Sequence, residues 1–116
     1  MQEFVLDMRA TAVERMAFLY SLHFRPHRVS SILLYPGFTR TETIQRAFER
    51  RTDYFSEWSD EEFIERTASM QYAGRAVAAL AADAAILERT GQLLTSRAIA
   101  DAYGFTDITG TRPDPT

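Results

Sequence analysis

The residue types best suited to chemistry gather at the end of one apolar run. Val29-Ser-Ser-Ile-Leu-Leu-Tyr-Pro-Gly-Phe-Thr-Arg-Thr-Glu42 stops being apolar at Pro36-Gly37, and Thr41 follows four residues after the glycine, just before a new helical pattern. Continuous apolar character suits a strand buried on both faces of a parallel sheet. So short a run can also be read as helix, but the proline-glycine terminator favours strand. Open α/β sheets place ligands outside the carboxyl ends of their strands, and a threonine hydroxyl there can both donate and accept. The pattern points to a nucleotide-cofactor fold and by itself shows no catalysis.

The remaining candidates do not assemble into a catalytic set. His23 and His27 have the spacing of two metal ligands on a helix, but Pro26 lies between them and no third ligand is nearby. They read as ordinary residues at a helix C-terminus, where partial positive charge is favourable. Glu61, Glu62 and Glu65 read as a solvated face near a helix start. Arg46, Arg50 and Arg51 could bind phosphate, yet Glu42 and Glu49 sit among them, so a surface ion-pair face is the expectation. Ser30 and Ser31 have no histidine placed to activate them, and no Gly-x-Ser-x-Gly elbow or glycine-rich phosphate loop occurs. Phe55 and Trp58 suit a substrate lid or a core anchor equally. All thirteen basic residues are arginine, so Schiff-base chemistry and a phosphate-loop lysine are excluded. The absence of cysteine excludes disulfides and thiolate metal sites.

These residues need elements to position them. The spacing predicts one long helix over residues 3–25, with Glu3, Asp7, Glu14, Ser21 and Arg25 on a polar stripe and Val5, Met8, Ala12, Met16 and Leu19 opposite. Most of the remaining circumference is apolar, so this helix must be covered on more than one side. Pro26 stops it. A strand is expected over 29–35, then a short helix capped by Thr41 or Thr43 to about Arg51. Ser59-Asp60-Glu61-Glu62 has capping-box form and starts another helix to about Arg66. Residues 69–83 form the next helix, with Met70, Ala73, Val77, Leu80 and Ala81 as its packed stripe. Thr90-Gly91 makes a turn into a second strand at 92–96, and a last helix over 97–103 stops at Gly104. The tail from residue 105, with Gly110, Pro113 and Pro115, is expected to be poorly ordered unless something holds it.

Length and composition bound the partners. At 116 residues and 46% hydrophobic, the chain is one domain with a modest core. A net charge of −3 disfavours a nucleic-acid surface. The stretches without charge are far shorter than the roughly 20 residues a membrane span needs. Met1-Gln2-Glu3 lacks a basic leader segment, so a cytoplasmic location is expected.

Taken together, Ser31 to Glu42, Tyr72 to Asp83, Thr90-Gly-Gln-Leu-Leu94 and Tyr103-Gly-Phe-Thr-Asp107 resemble the C-terminal portion of the short-chain dehydrogenase/reductase family, over roughly residues 11–110. The resemblance implies a fold class of α/β: a mostly helical fragment of a Rossmann-like doubly wound fold, with two short parallel strands at about 29–35 and 92–96. It implies a single partial domain over 1–110, followed by a tail, with residues 42–68 as a lid-like helical segment. It implies NAD(P) as the cofactor, with Pro36, Gly37, Phe38 and Thr41 as the cofactor-side loop and Thr41 in polar contact with the carboxamide. The family's dinucleotide fingerprint and catalytic serine have no counterpart here. Its Tyr-x-x-x-Lys pair should open the first helix, where Leu6 and Ala10 stand instead.

The expectation is a truncated or degenerate relative of these oxidoreductases, assigned no catalytic residue, no metal and weak or absent NAD(P) binding when alone. A non-enzymatic helical interaction module, or one chain of a split NAD(P)-dependent reductase, are the alternatives. Two strands do not make a stable parallel sheet by themselves. A homo-oligomer such as a dimer, or association with an N-terminal half, is therefore expected, with a small-molecule substrate of unspecified identity.

Overall fold

The computed structural model describes residues 1–116, the side chain of Asp53 excepted. In chain order the elements are α1 (Gln2–Phe24), β1 (Leu33–Tyr35), α2 (Glu42–Glu49), α3 (Asp60–Arg66), α4 (Met70–Ala82), β2 (Leu93–Thr95) and α5 (Ser96–Tyr103), with single 3-10 turns at Arg25–His27, Asp53–Phe55 and Ile86–Arg89. This is a mostly helical chain with one pair of short parallel strands, as a partial Rossmann-like α/β fold requires. It divides into two compact units, one of residues 1–35 and 82–94 and the other of residues 36–81 and 95–116.

The first unit is α1 and the strand pair. Pro26 ends α1 as expected: the chain tightens into the 3-10 turn and leaves it through Arg28 in left-handed conformation, φ 57°. The strands are shorter than the expected 29–35 and 92–96. Residues 29–32 lie outside the ladder: Val29 N donates to Phe24 O at 3.3 Å, and Ser31 O accepts from Gly91 N at 2.8 Å. Ser31 N donates to Thr90 Oγ1 at 2.9 Å, and Ser31 Oγ donates to the Ala17 carbonyl at 2.9 Å. Ser30 and Ser31 thus lie before the strand, and Ser31 anchors that connection. On α1 the polar-stripe assignment of Ser21 is overturned. Ser21 is the buried residue of the helix, donating to the Phe18 carbonyl, with Gly91 packed so close that a Cβ there would lie 2.9 Å from Ser21 Oγ. The apolar positions Phe4, Leu6, Met8, Val13 and Leu22 are exposed. Among its described residues this unit buries no large apolar side chain.

The second unit has the core. Thr41 caps α2, its Oγ1 accepting from Ile44 N at 3.3 Å. The capping box forms at α3 as expected: Ser59 Oγ accepts from Glu62 N at 3.1 Å, and a Glu62 carboxylate oxygen accepts from Ser59 N at 3.0 Å. On α4 the buried stripe is Tyr72, Ala76 and Leu80, and Met70 and Val77 are exposed. That rotates the packed face away from the expected one, because Tyr72 must meet Ala68, Ala100 and Phe105. Gly104 terminates α5 in left-handed conformation, φ 77°, as a helix C-terminal glycine does.

Tyr72 is fully buried and its hydroxyl has no hydrogen-bond partner. Burial raises its pKa above the usual tyrosine value. A buried hydroxyl without a partner retains its desolvation cost. Tyr72→Phe should therefore leave stability unchanged or raise it by about 1 kcal/mol in urea unfolding. A loss of that size would show that the hydroxyl is satisfied in solution.

Candidate functional site

The site grows from the loop that follows β1. After Tyr35 the chain needs a sharp change of direction, and Gly37 supplies it at φ 68°, a conformation that side chains rarely adopt. Thr39 then pairs with Ala68 as an isolated parallel bridge: Arg40 N donates to Ala68 O at 2.8 Å and Ala68 N to Phe38 O at 2.9 Å. This bridge fixes the loop against the start of α4. A cleft of about 450 Å³ opens there, lined by Pro36, Phe38, Thr41, Ile44, Met70 and Ala73, among others. Pro36, Gly37, Phe38 and Thr41, singled out in the sequence, all border it.

The chemistry of that lining is narrow. No charged side chain contributes to it. Thr41 Oγ1 accepts one bond, from Ile44 N, and keeps its proton and one lone pair for a further partner. Such a cleft suits an apolar or weakly polar group. It offers nothing to a pyrophosphate, which takes arginine, lysine or a ring of backbone amides.

Residues 42–68, expected to be lid-like, have a small aromatic core. Phe55 is buried and meets Phe38, Phe48, Trp58 and Phe63 edge-on, at centroid distances of 5.9, 6.1, 5.2 and 5.8 Å. Phe48 and Phe63 stack at 4.0 Å. Phe55 is therefore a core anchor, and Trp58 is the half-buried ring at the margin. In the Arg cluster, Arg46 pairs with Glu42 on the surface, and Arg51 pairs with Asp60 at 2.9 Å. Of the acidic trio, Glu62 serves the capping box, and that backbone bond from Ser59 holds its carboxyl below the usual range.

A buried polar centre escaped the sequence reading. Asp107, in the tail, is 1% exposed. Its carboxylate accepts from Ser69 N at 2.8 Å, from Ser69 Oγ and from Ile108 N at 2.7 Å, with the Arg40 guanidinium 3.8 Å away. Arg40 is held in turn by the Thr67 carbonyl at 2.7 Å and Thr67 Oγ1 at 3.0 Å. Burial pushes the Asp107 carboxyl upward, but the Ser69 and Ile108 bonds and the Arg40 charge outweigh it, so its pKa lies below the usual carboxylate value. The carboxylate also sits at the N-terminus of α4, where negative charge is favourable. The available signal was an aspartate three residues past a helix-ending glycine, too common to single out.

In the first unit, Leu6 and Ala10 stand at the positions that the resemblance assigns to tyrosine and lysine. With Val13, Leu33 and Tyr35 they border a shallow cleft of about 330 Å³. His23 packs edge-on to Phe24 and His27 ends the 3-10 turn. Among the described residues no three histidine, aspartate or glutamate side chains are grouped to hold a metal, and no helix is long and apolar enough to cross a membrane.

No protein-family model matches the chain. A curated protein of Mus musculus, "Dehydrogenase/reductase SDR family member 1", is similar to it at 31% identity over 103 residues. The match covers 85% of this chain and 32% of the mouse protein, so the chain spans about a third of that relative's length.

Because the folded-state pKa of Asp107 is depressed, its contribution to stability is present above the ordinary carboxylate range. It is lost as pH falls through the still lower folded value. Asp107→Asn should destabilise the chain at neutral pH, and the gap from wild type in urea unfolding should shrink below about pH 4. A gap constant between neutral and acid pH would mean that Asp107 is not a buried charge.

Proposed function

Starting from kinship with the short-chain dehydrogenase/reductase family over most of the chain, we propose that residues 1–116 supply the cofactor-side loop and substrate-covering segment of an NAD(P)-linked oxidoreductase. Taken by themselves, they do not reduce a carbonyl. The observation that carries this reading is the loop that follows β1 in sequence, where Pro36, Gly37, Phe38 and Thr41 border an uncharged cleft.

When bound, the nicotinamide would supply the hydride. What this chain contributes is position. The Thr41 hydroxyl would hydrogen-bond the carboxamide. Gly37 lets the backbone turn close to it. The aromatic core around Phe55 makes residues 42–66 a stiff cover that excludes water from the reacting face. Proton transfer and the grip on the adenine half belong to residues outside this set. The chain has no lysine, and Leu6 and Ala10 cannot exchange a proton.

The exposed apolar positions of α1 favour an added requirement. A helix with Phe4, Leu6, Met8, Val13 and Leu22 in solvent presents far more apolar surface than a lone soluble domain usually does. β1 and β2 form a sheet of only two strands. We take α1 to be covered by a second copy or by the complementary part of the domain, which also extends the sheet. The same surface supports the second reading, a helical interaction module with no catalytic role.

NADPH added to the isolated chain should give no submicromolar binding in a fluorescence titration. Saturable binding at that level would overturn the assignment of the adenine grip to residues elsewhere. In sedimentation equilibrium at micromolar concentration the isolated chain should self-associate, and a compact monomer would argue that α1 needs no cover.

A further inference from the structure

The tail was expected to be loose unless held, and in the second unit it is held at several points. Pro113 and Pro115 are buried. Asp107 N donates to Thr111 O at 2.7 Å, closing a turn around the carboxylate that grips Ser69. Arg112 Nε donates to the Phe105 carbonyl at 2.9 Å, and Arg97 on α5 donates to the Arg112 carbonyl at 2.7 Å. At the far end Phe38 N donates to Pro115 O at 2.9 Å. The contact is close enough that a Cβ on Gly37 would lie 2.4 Å from Pro115 O.

We propose that residues 105–116 are a strap that sets the shape of the Pro36–Arg40 loop, with Asp107 as its pin and Pro115 as a positioning residue. The name cofactor-side for this loop rests on the function proposed above; the strap does not. Pro115 touches the loop at Gly37 and Phe38 without bordering the 450 Å³ cleft, so it braces the loop and leaves the cleft open. It instead borders a smaller cleft of about 230 Å³ with Phe38, Trp58, Arg66, Asp114 and Thr116. Phe38 therefore joins three parts. Its amide is bound by the strap, its carbonyl by Ala68, and its ring by Phe55 and Trp58 of the lid segment. A proline suits the strap because its fixed φ leaves less freedom to lose on docking.

The test uses the full chain and no cofactor, so its failure is independent of any failure of the NAD(P) reading. Amide exchange at Phe38 and at Ala76 in α4, with emission from Trp58, the single tryptophan, would be followed in wild type, Pro115→Gly, Gly37→Ala and Gly104→Ala. Gly104 has nearly the same φ as Gly37, 77° against 68°, but nothing within 4 Å of its would-be Cβ. It therefore isolates backbone strain from contact with the strap. Exchange at Phe38 should rise by about tenfold in Pro115→Gly and Gly37→Ala, as for a freed amide, with Ala76 unmoved and Trp58 emission shifted to the red. Gly104→Ala should leave Phe38 as it is in wild type. Unchanged exchange at Phe38 in Pro115→Gly overturns the strap, as does a rise matched at Ala76 or reproduced by Gly104→Ala. Should Gly37→Ala fail to fold, Pro115→Gly decides alone.

Discussion

A carboxylate taken out of water must be surrounded by donors, and Asp107 imposes that demand on the second unit. Its oxygens are met by Ser69, Ile108 and Arg40, and Arg40 is itself committed to Thr67. Those partners lie on the loop after β1, at the junction of α3 and α4, and on the tail. One buried charge thus determines where three segments of chain can be. The arrangement is costly to disturb, because removing the acid leaves the buried Ser69 amide without a partner and the Arg40 guanidinium without its counter-charge.

The first unit is under the opposite constraint. Its long helix has apolar residues on nearly every side, and its own strands cannot cover them. Where the second unit is organised by a satisfied polar centre, the first is defined by apolar surface in solvent. The second unit has its own core, whereas the helix of the first leaves its apolar residues exposed.

Features governed by local rules were legible in the sequence. Pro26 ends α1, Thr41 caps α2, Ser59 and Glu62 form a capping box and Gly104 closes α5, each within a few residues of its signal. The loop at Pro36–Thr41 was readable because its terminator is equally local. Features decided by distant partners were not. Ser21 turns inward because Gly91 leaves room for it, and periodicity along α1 carries no trace of that contact. The packed face of α4 is chosen by Phe105 and Ala100, more than twenty residues away. The strands stop short because Ser31 finds Thr90 and Ala17. The tail looked loose from its prolines and glycine, while the burial of Asp107 and Pro115 depends on contacts with Ser69 and Phe38.

The aromatic cluster around Phe55 also bears on the order in which the chain assembles. Phe48, Phe55, Trp58 and Phe63 are neighbours in sequence as well as in space, and a capping box starts the helix that carries Phe63. Contacts closed over short loops lose little chain entropy and form early. The bond between Ser69 and Asp107 spans 38 residues and must wait for α4, β2 and α5. As the polypeptide leaves the ribosome, residues 48–63 can condense into a nucleus before the tail has been synthesised. The loop at Pro36–Arg40 takes its final form only when that last stretch arrives.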